Sequence, residues 1–310
     1  MRSVAPRFIV VTFYSEGSPW DAGLSLVDEE RHFRAVVEPY VDEVRSFCPR
    51  SISALWQGAD AYCRDYSEWI EQHPLRYQLK RRNPGWEKMG FLAWKPFLLS
   101  ALLHDDAIRT GDVIFYHDVN LRKYPAYSRT PAEWRAVSLR ILDELGCDIF
   151  SPEAVRLESD TKAFLVRRYL HESAGLERVV WAGMIVCRKS SQSLEFIDEW
   201  RAMCEDIDNL SPLPNPNPYV GAHWHAVDQA VLGVLALKWK QEGRLPAAWP
   251  LYAAGDRSFD SQIFKRRASP PSSFERRLYR VFLSLPSALQ ERMLSIIRGI
   301  ARLKRRVRSS

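Results

Sequence analysis

Three short runs of β-branched and aromatic residues, each followed by a segment of helical periodicity, constrain this chain more than any other feature. Phe8-Ile9-Val10-Val11-Thr12-Phe13-Tyr14 is the first, and it ends in the loop signal Ser15-Glu16-Gly17-Ser18-Pro19. In the second, a Gly111-Asp112 turn feeds Val113-Ile114-Phe115-Tyr116, which finishes in polar His117-Asp118-Val119-Asn120. The third is Val179 to Arg188. Buried strands alternating with helices predict an α/β fold with a mostly parallel sheet covered on both faces. Ligands in such sheets gather beyond the carboxyl ends of strands, where Asp118 and Asn120 fall.

Between these runs, residues 26–46 read as a helix, with Phe33, Val36, Val37, Tyr40, Val41 and Val44 spaced among charged residues. Ser53 to Trp56 reads as a short second strand, Asp60 to Glu71 as a helix, and Arg76 to Glu87 as a basic loop. Trp94-Lys95-Pro96 opens a helix through Leu103, with proline in its first turn. Residues 131–145 read as a helix, Asp148 to Phe150 as a strand and Ser190 to Met203 as a helix. The proline-rich segment 211–218 is a loop, and His223 to Gln229 opens a last helix through Leu237.

Five cysteines without a Cys-x-x-Cys pair fit neither a disulfide framework nor a zinc cluster, so a reducing, cytoplasmic setting is expected. No apolar stretch is long enough to span a bilayer, and no secretory leader is visible. The formal charge of +6 is unevenly placed: Phe274 to Ser310 holds ten Lys/Arg and two acids, leaving residues 1–273 slightly acidic. A nearly neutral body does not suit general nucleic-acid binding. The P-loop, dinucleotide-binding and nucleophile-elbow signatures are absent.

Asp118 and Asn120, two apart beyond a buried strand, place oxygen ligands on one side of an extended backbone and are candidates for a Mn²⁺ or Mg²⁺ site. The same pair is also an ordinary strand-end turn. Their context gives the pair weight. Gly90-Phe91-Leu92-Ala93-Trp94-Lys95-Pro96 precedes Gly111 to Asp118; Trp181-Ala182-Gly183-Met184-Ile185 follows, then Ser193 to Trp200, then Asp228-Gln229.

This order of blocks, over roughly residues 8–240, resembles the GT-A-type nucleotide-sugar glycosyltransferases of bacteria. It is more distantly similar to the retaining glycogenin and α-galactosyltransferase-like families. The resemblance implies a GT-A-like, Rossmann-like domain over residues 1–265 that moves a sugar from a UDP- or GDP-sugar to a saccharide or lipid-linked glycan. Surface-polysaccharide synthesis, with retention of configuration, is the implied role. It assigns Thr12, Phe13 and Tyr14 to the nucleoside, Lys95 to the donor diphosphate, and Asp118 to metal and donor. Trp181, Ala182 and Gly183 fall beside the donor sugar, with Asp228 and Gln229 on its reacting side as the catalytic pair. Asn120 stands where the family has a second acid, so the resemblance implies a Mn²⁺ or Mg²⁺ site whose ion binding is weaker or conditional. The retaining families place a ligand histidine after their Asp-Gln helix; here the last histidine is His225, with His223 as the alternative.

Residues 266–310 form the expected tail. Phe274, Leu278, Val281, Phe282 and Leu285, then Leu289, Met293, Ile296, Ile300, Leu303 and Val307, recur at helical spacing among arginines. Basic amphipathic helices over 274–308 point to an anionic membrane surface on the cytoplasmic side, or else to packing on the domain. No specific nucleic-acid partner is expected. A non-catalytic binding module of the same fold, docked through the tail, is the competing expectation.

Overall fold

The computed structural model describes residues 5–16, 25–48, 51, 93–119, 121, 131–156, 161–170, 178–210 and 227–246. The chain divides into two units, Met1–Lys265 and Arg266–Ser310, and every described residue lies in the first. Asn120, His223, His225, the expected elements at 53–71 and the tail lie outside the described residues.

The strands are β1 (Phe8–Phe13), β2 (Glu43–Phe47), β3 (Val113–His117), β4 (Ile149–Phe150), β5 (Glu153–Arg156), β6 (Arg178–Val180) and β7 (Met184–Arg188). The helices are α1 (Val27–Val37), α2 (Trp94–His104), α3 (Pro131–Leu145), α4 (Ala163–Tyr169), α5 (Ser191–Glu205), α6 (Ile207–Leu210) and α7 (Val227–Gln241). Five strands form the main sheet in the order β2-β1-β3-β7-β4. β1 pairs parallel with β2 and β3, whereas β7 runs antiparallel to both β3 and β4. The sheet is therefore mostly parallel with one reversed strand. β5 and β6 make a separate antiparallel pair.

Side chains alternate across β3, so its neighbours reveal what covers each face. On one face Phe115 and His117 stack with Trp134 of α3, and Phe33 of α1 joins them. On the other, Tyr116 meets Trp94 of α2, which stacks on Phe13 of β1 with ring centroids 3.9 Å apart. Helices thus cover both faces. α7 packs on α5, α4 and β6, and α5 packs on α2. The near-continuous apolar reading of β1 and β3 follows from this double burial.

Two sequence expectations are corrected. The helix expected over 26–46 stops at Val37. A 3₁₀ turn, Glu38–Tyr40, carries Pro39, Val41 is extended (φ −131°, ψ 163°), and β2 follows. Pro39 lacks the amide hydrogen that would continue the α-helical ladder, and the helical geometry still kept at Glu38 gives way to extended backbone at Val41, where the chain turns into the sheet. The three-residue spacing of Val41 and Val44 had mimicked a helical stripe. The single strand expected over 179–188 is two strands in different sheets, broken at Trp181-Ala182-Gly183. An unbroken apolar run hides such a joint, because Val180 before it and Met184 to Cys187 after it are all buried. By contrast α3 spans the expected residues, and α5 begins behind an N-cap at Ser190 whose hydroxyl accepts from the Ser193 amide in a capping box.

Among the described residues, no helix is long and apolar enough to cross a membrane.

Candidate functional site

The carboxyl ends of β1 and β3 meet the amino ends of α2, β7 and α7. The reversed direction of β7 makes this possible: His117 is in register with Met184, and the Asp118 amide donates to the Gly183 carbonyl at 2.9 Å. Asp118 leaves β3 beside the turn that precedes β7. Its Oδ1 accepts a hydrogen bond of 2.9 Å from the Tyr116 hydroxyl, and its side chain is 27% exposed.

Lys95, in the first turn of α2, points into the same place. Its Nζ lies 3.2 Å from Asp228 Oδ2, an ion pair off the direction of a well-formed hydrogen bond, and 3.7 Å from Asp118 Oδ1. The Trp94 and Tyr116 rings flank the ammonium at 5.6 and 5.9 Å. Lys95 and Asp228 are both buried, at 6% and 2% exposure, so Asp118 is the carboxylate that faces outward.

Asp228 is carried by the first turn of α7 and fixed from behind, where the Trp200 indole N–H donates to its backbone carbonyl at 3.2 Å. The residue before it, Val227, has φ +37°, a conformation β-branched side chains rarely adopt. Burial raises the Asp228 carboxyl from its usual range to about 6. The nearby Asp118 charge adds to the rise, while Lys95 opposes it. A carboxyl held there can change protonation close to neutral pH.

Gln229 Oε1 accepts from the Ala182 amide at 3.3 Å and so ties α7 to the 181–183 turn. Ser151 holds the same turn from the other side, donating toward the Trp181 and Met184 carbonyls at 2.9 and 3.0 Å. A Cβ on Gly183 would overlap the Trp181 indole. Glycine is thus required here because Trp181 folds back over residue 183.

The first-strand residues are placed unequally. Thr12 is fully buried and its hydroxyl donates to the His117 carbonyl at 2.8 Å. Phe13 is buried under Trp94, and only Tyr14 keeps partial exposure, with its phenol raised by burial and by Cys48 nearby. His117, buried, bonds the Asp118 carbonyl through Nδ1 at 2.6 Å, and burial lowers its pKa. Since a carbonyl only accepts, Nδ1 carries the proton, and the ring is a neutral spacer that fixes the backbone of Asp118.

The described members of the expected site therefore converge, from Lys95 through Asp118 and the 181–183 turn to Asp228 and Gln229. The sequence reading missed Tyr116, Trp200 and Ser151, which touch these groups from behind. Tyr116 was visible two residues before Asp118, on the same side of an extended strand. Trp200, though it closes the Ser193 to Trp200 block, and Ser151 gave no sign of these contacts, which are long-range.

The expected metal ligands are Asp118, Asn120 and His225 or His223, and of these Asp118 alone is described. Its Oδ1 already receives the Tyr116 hydroxyl and lies near the Lys95 ammonium. A divalent ion within about 4 Å of that ammonium would meet a repulsion of roughly 8 kcal/mol at an effective dielectric near 20. As the side chains stand, Asp118 does not fit a metal bridging toward Asp228. Among the described residues no group of three His, Cys, Asp or Glu is disposed to hold a metal ion.

Compared with family models, curated proteins and solved structures, the chain matches none.

Proposed function

We propose that the chain is a GT-A-type glycosyltransferase that moves a sugar from a UDP- or GDP-sugar to a saccharide or lipid-linked glycan acceptor of a bacterial surface polysaccharide. The observation that supports this reading most is the meeting of Lys95, Asp118, Asp228 and the 181–183 turn at one end of a mostly parallel sheet. Each comes from a separate block of the resemblance, and the blocks are far apart in the chain.

In this reading Asp118, the exposed carboxylate, faces the donor. The Lys95 ammonium offsets the charge that builds on the departing nucleoside diphosphate, in a setting where water screens it little. Trp181 offers a ring face to the sugar, and Asp228 and Gln229 shape the reacting side. Retention is the expected stereochemistry. An inverted product would instead make Asp228 the base that takes the acceptor proton, a role suited to a carboxyl near 6. No step is routed through a divalent ion. The basic tail, residues 274–308, brings the enzyme to the cytoplasmic face of an anionic membrane, where a lipid-linked acceptor lies.

The test is a screen of sugar nucleotides by mass detection of the released nucleoside diphosphate, repeated with Asp228→Asn. Turnover with one donor, lowered at least about 100-fold in the variant while nucleotide binding persists, supports the assignment. Absence of turnover with every donor, together with no binding of UDP or GDP, overturns it.

A further inference from the structure

Lys95 occupies an electrostatically poor position. It is the second residue of α2, where the helix dipole is positive, and it is almost fully buried. Both conditions disfavour an ammonium. Two carboxylates offset them, Asp228 at 3.2 Å and Asp118 at 3.7 Å, with the Trp94 and Tyr116 faces on its flanks.

A cation lying between two carboxylate oxygens, with a tyrosine hydroxyl on one of them, has the surroundings of a metal ion bridging two acids. Mn²⁺ or Mg²⁺ would bind those oxygens at about 2.0–2.2 Å and needs the space that the ammonium fills. The two cannot be accommodated together.

We propose that the Lys95 ammonium is the resident cation of this site, standing where a divalent ion bridging Asp118 and Asp228 would stand. The wild-type chain then takes up no divalent ion through these two carboxylates, and an anionic ligand meets a charge that belongs to the protein. Only the identity of that anion, a nucleoside diphosphate, rests on the glycosyltransferase reading. The cation assignment stands on the geometry alone.

The experiment follows free Mn²⁺ by electron paramagnetic resonance while the full chain is titrated, without nucleotide. Lys95→Gln exposes two carboxylates lacking a counter-charge, and is expected to bind one Mn²⁺ at least about tenfold tighter than wild type. Lys95→Arg keeps the charge and should show no gain. Lys95→Gln combined with Asp118→Asn should lose the gain. A folded Lys95→Gln without tighter Mn²⁺ binding overturns the proposal. So does Mn²⁺ binding by the wild type that Asp118→Asn abolishes, an arm that needs no substitution of Lys95 and decides the question even if those variants fail to fold. A second arm measures UDP binding by calorimetry in EDTA and in Mn²⁺. Equal affinity supports the proposal, and dependence on Mn²⁺ lost in Asp118→Asn overturns it. Failure of UDP and GDP to bind under either condition counts against the glycosyltransferase reading, leaving the Mn²⁺ titrations to judge the cation.

Discussion

Burial holds the Asp228 carboxyl at about 6 even with the Lys95 ammonium beside it. The folded chain therefore binds more protons at this group than the unfolded chain between about pH 4 and pH 6. Stability from this group is present below the unfolded value, and is lost as pH rises through the folded one. Asp228→Asn removes that dependence. Its stability relative to wild type should rise by about 2 kcal/mol between pH 4.5 and pH 7.5, read from denaturant unfolding at both pH values. An offset between the two proteins that stays constant with pH would show that Asp228 ionises like an exposed acid. Gly183→Ala is a second case at this scale. The new methyl group must displace the Trp181 indole, so a loss of about 1–3 kcal/mol is expected in the same measurement. The site was partly legible in the sequence for a physical reason: Asp118, Lys95 and Asp228 each end or begin an element, where polar side chains stand out against apolar runs. Their supports were not legible. Trp200 reaches Asp228, and Ser151 reaches Trp181, only through the tertiary fold.

At the scale of elements, the start of the sheet is tied by Asp112, buried ahead of β3. Its carboxylate accepts from the backbone amides of Arg7 and Arg109 and pairs with both guanidinium groups. Burial alone would raise it, but these donors win and hold it well below the usual carboxylate range. Asp112→Ala leaves two backbone amides short of an acceptor and should cost at least about 2 kcal/mol. Thermal unfolding at neutral pH checks this. At the same end of the sheet, just past β7, Ser190→Ala removes the α5 cap and should cost about 1 kcal/mol. Most elements were readable where one signal dominated, as with the apolar run of β3 or the capped periodicity of α5. Reading failed where two signals overlapped. Val41 and Val44 have helical spacing, yet Pro39 sends them into β2, and the continuous run 179–188 concealed a change of sheet.

For the whole molecule, the uneven charge makes a prediction about its two units. Vesicles containing anionic lipid should sediment the full chain, and high salt should release only part of it, because burial of Phe282, Ile296 and Ile300 is not screened. Deleting residues 274–310 should abolish sedimentation while leaving nucleotide binding nearly intact. Vesicle binding by the truncated chain would place the membrane contact elsewhere.

The reversed direction of β7 also fixes where this chain can change length. The backbone crosses the site on its way into the main sheet, so the 181–183 turn is held by β6 at one end and by β7 at the other. One inserted residue there would slide β7 by a step against β3 and β4, exchanging the faces on which Met184 and Ile185 lie. The Lys189-Ser190 connection, at the far end of the same strand, carries no such coupling to Asp118. An insertion there would instead break the backbone pairing of Lys189 with Gly111 and Asp112 and displace the Ser190 cap, whereas at the narrow span beside Asp118 it would carry the slip into the site.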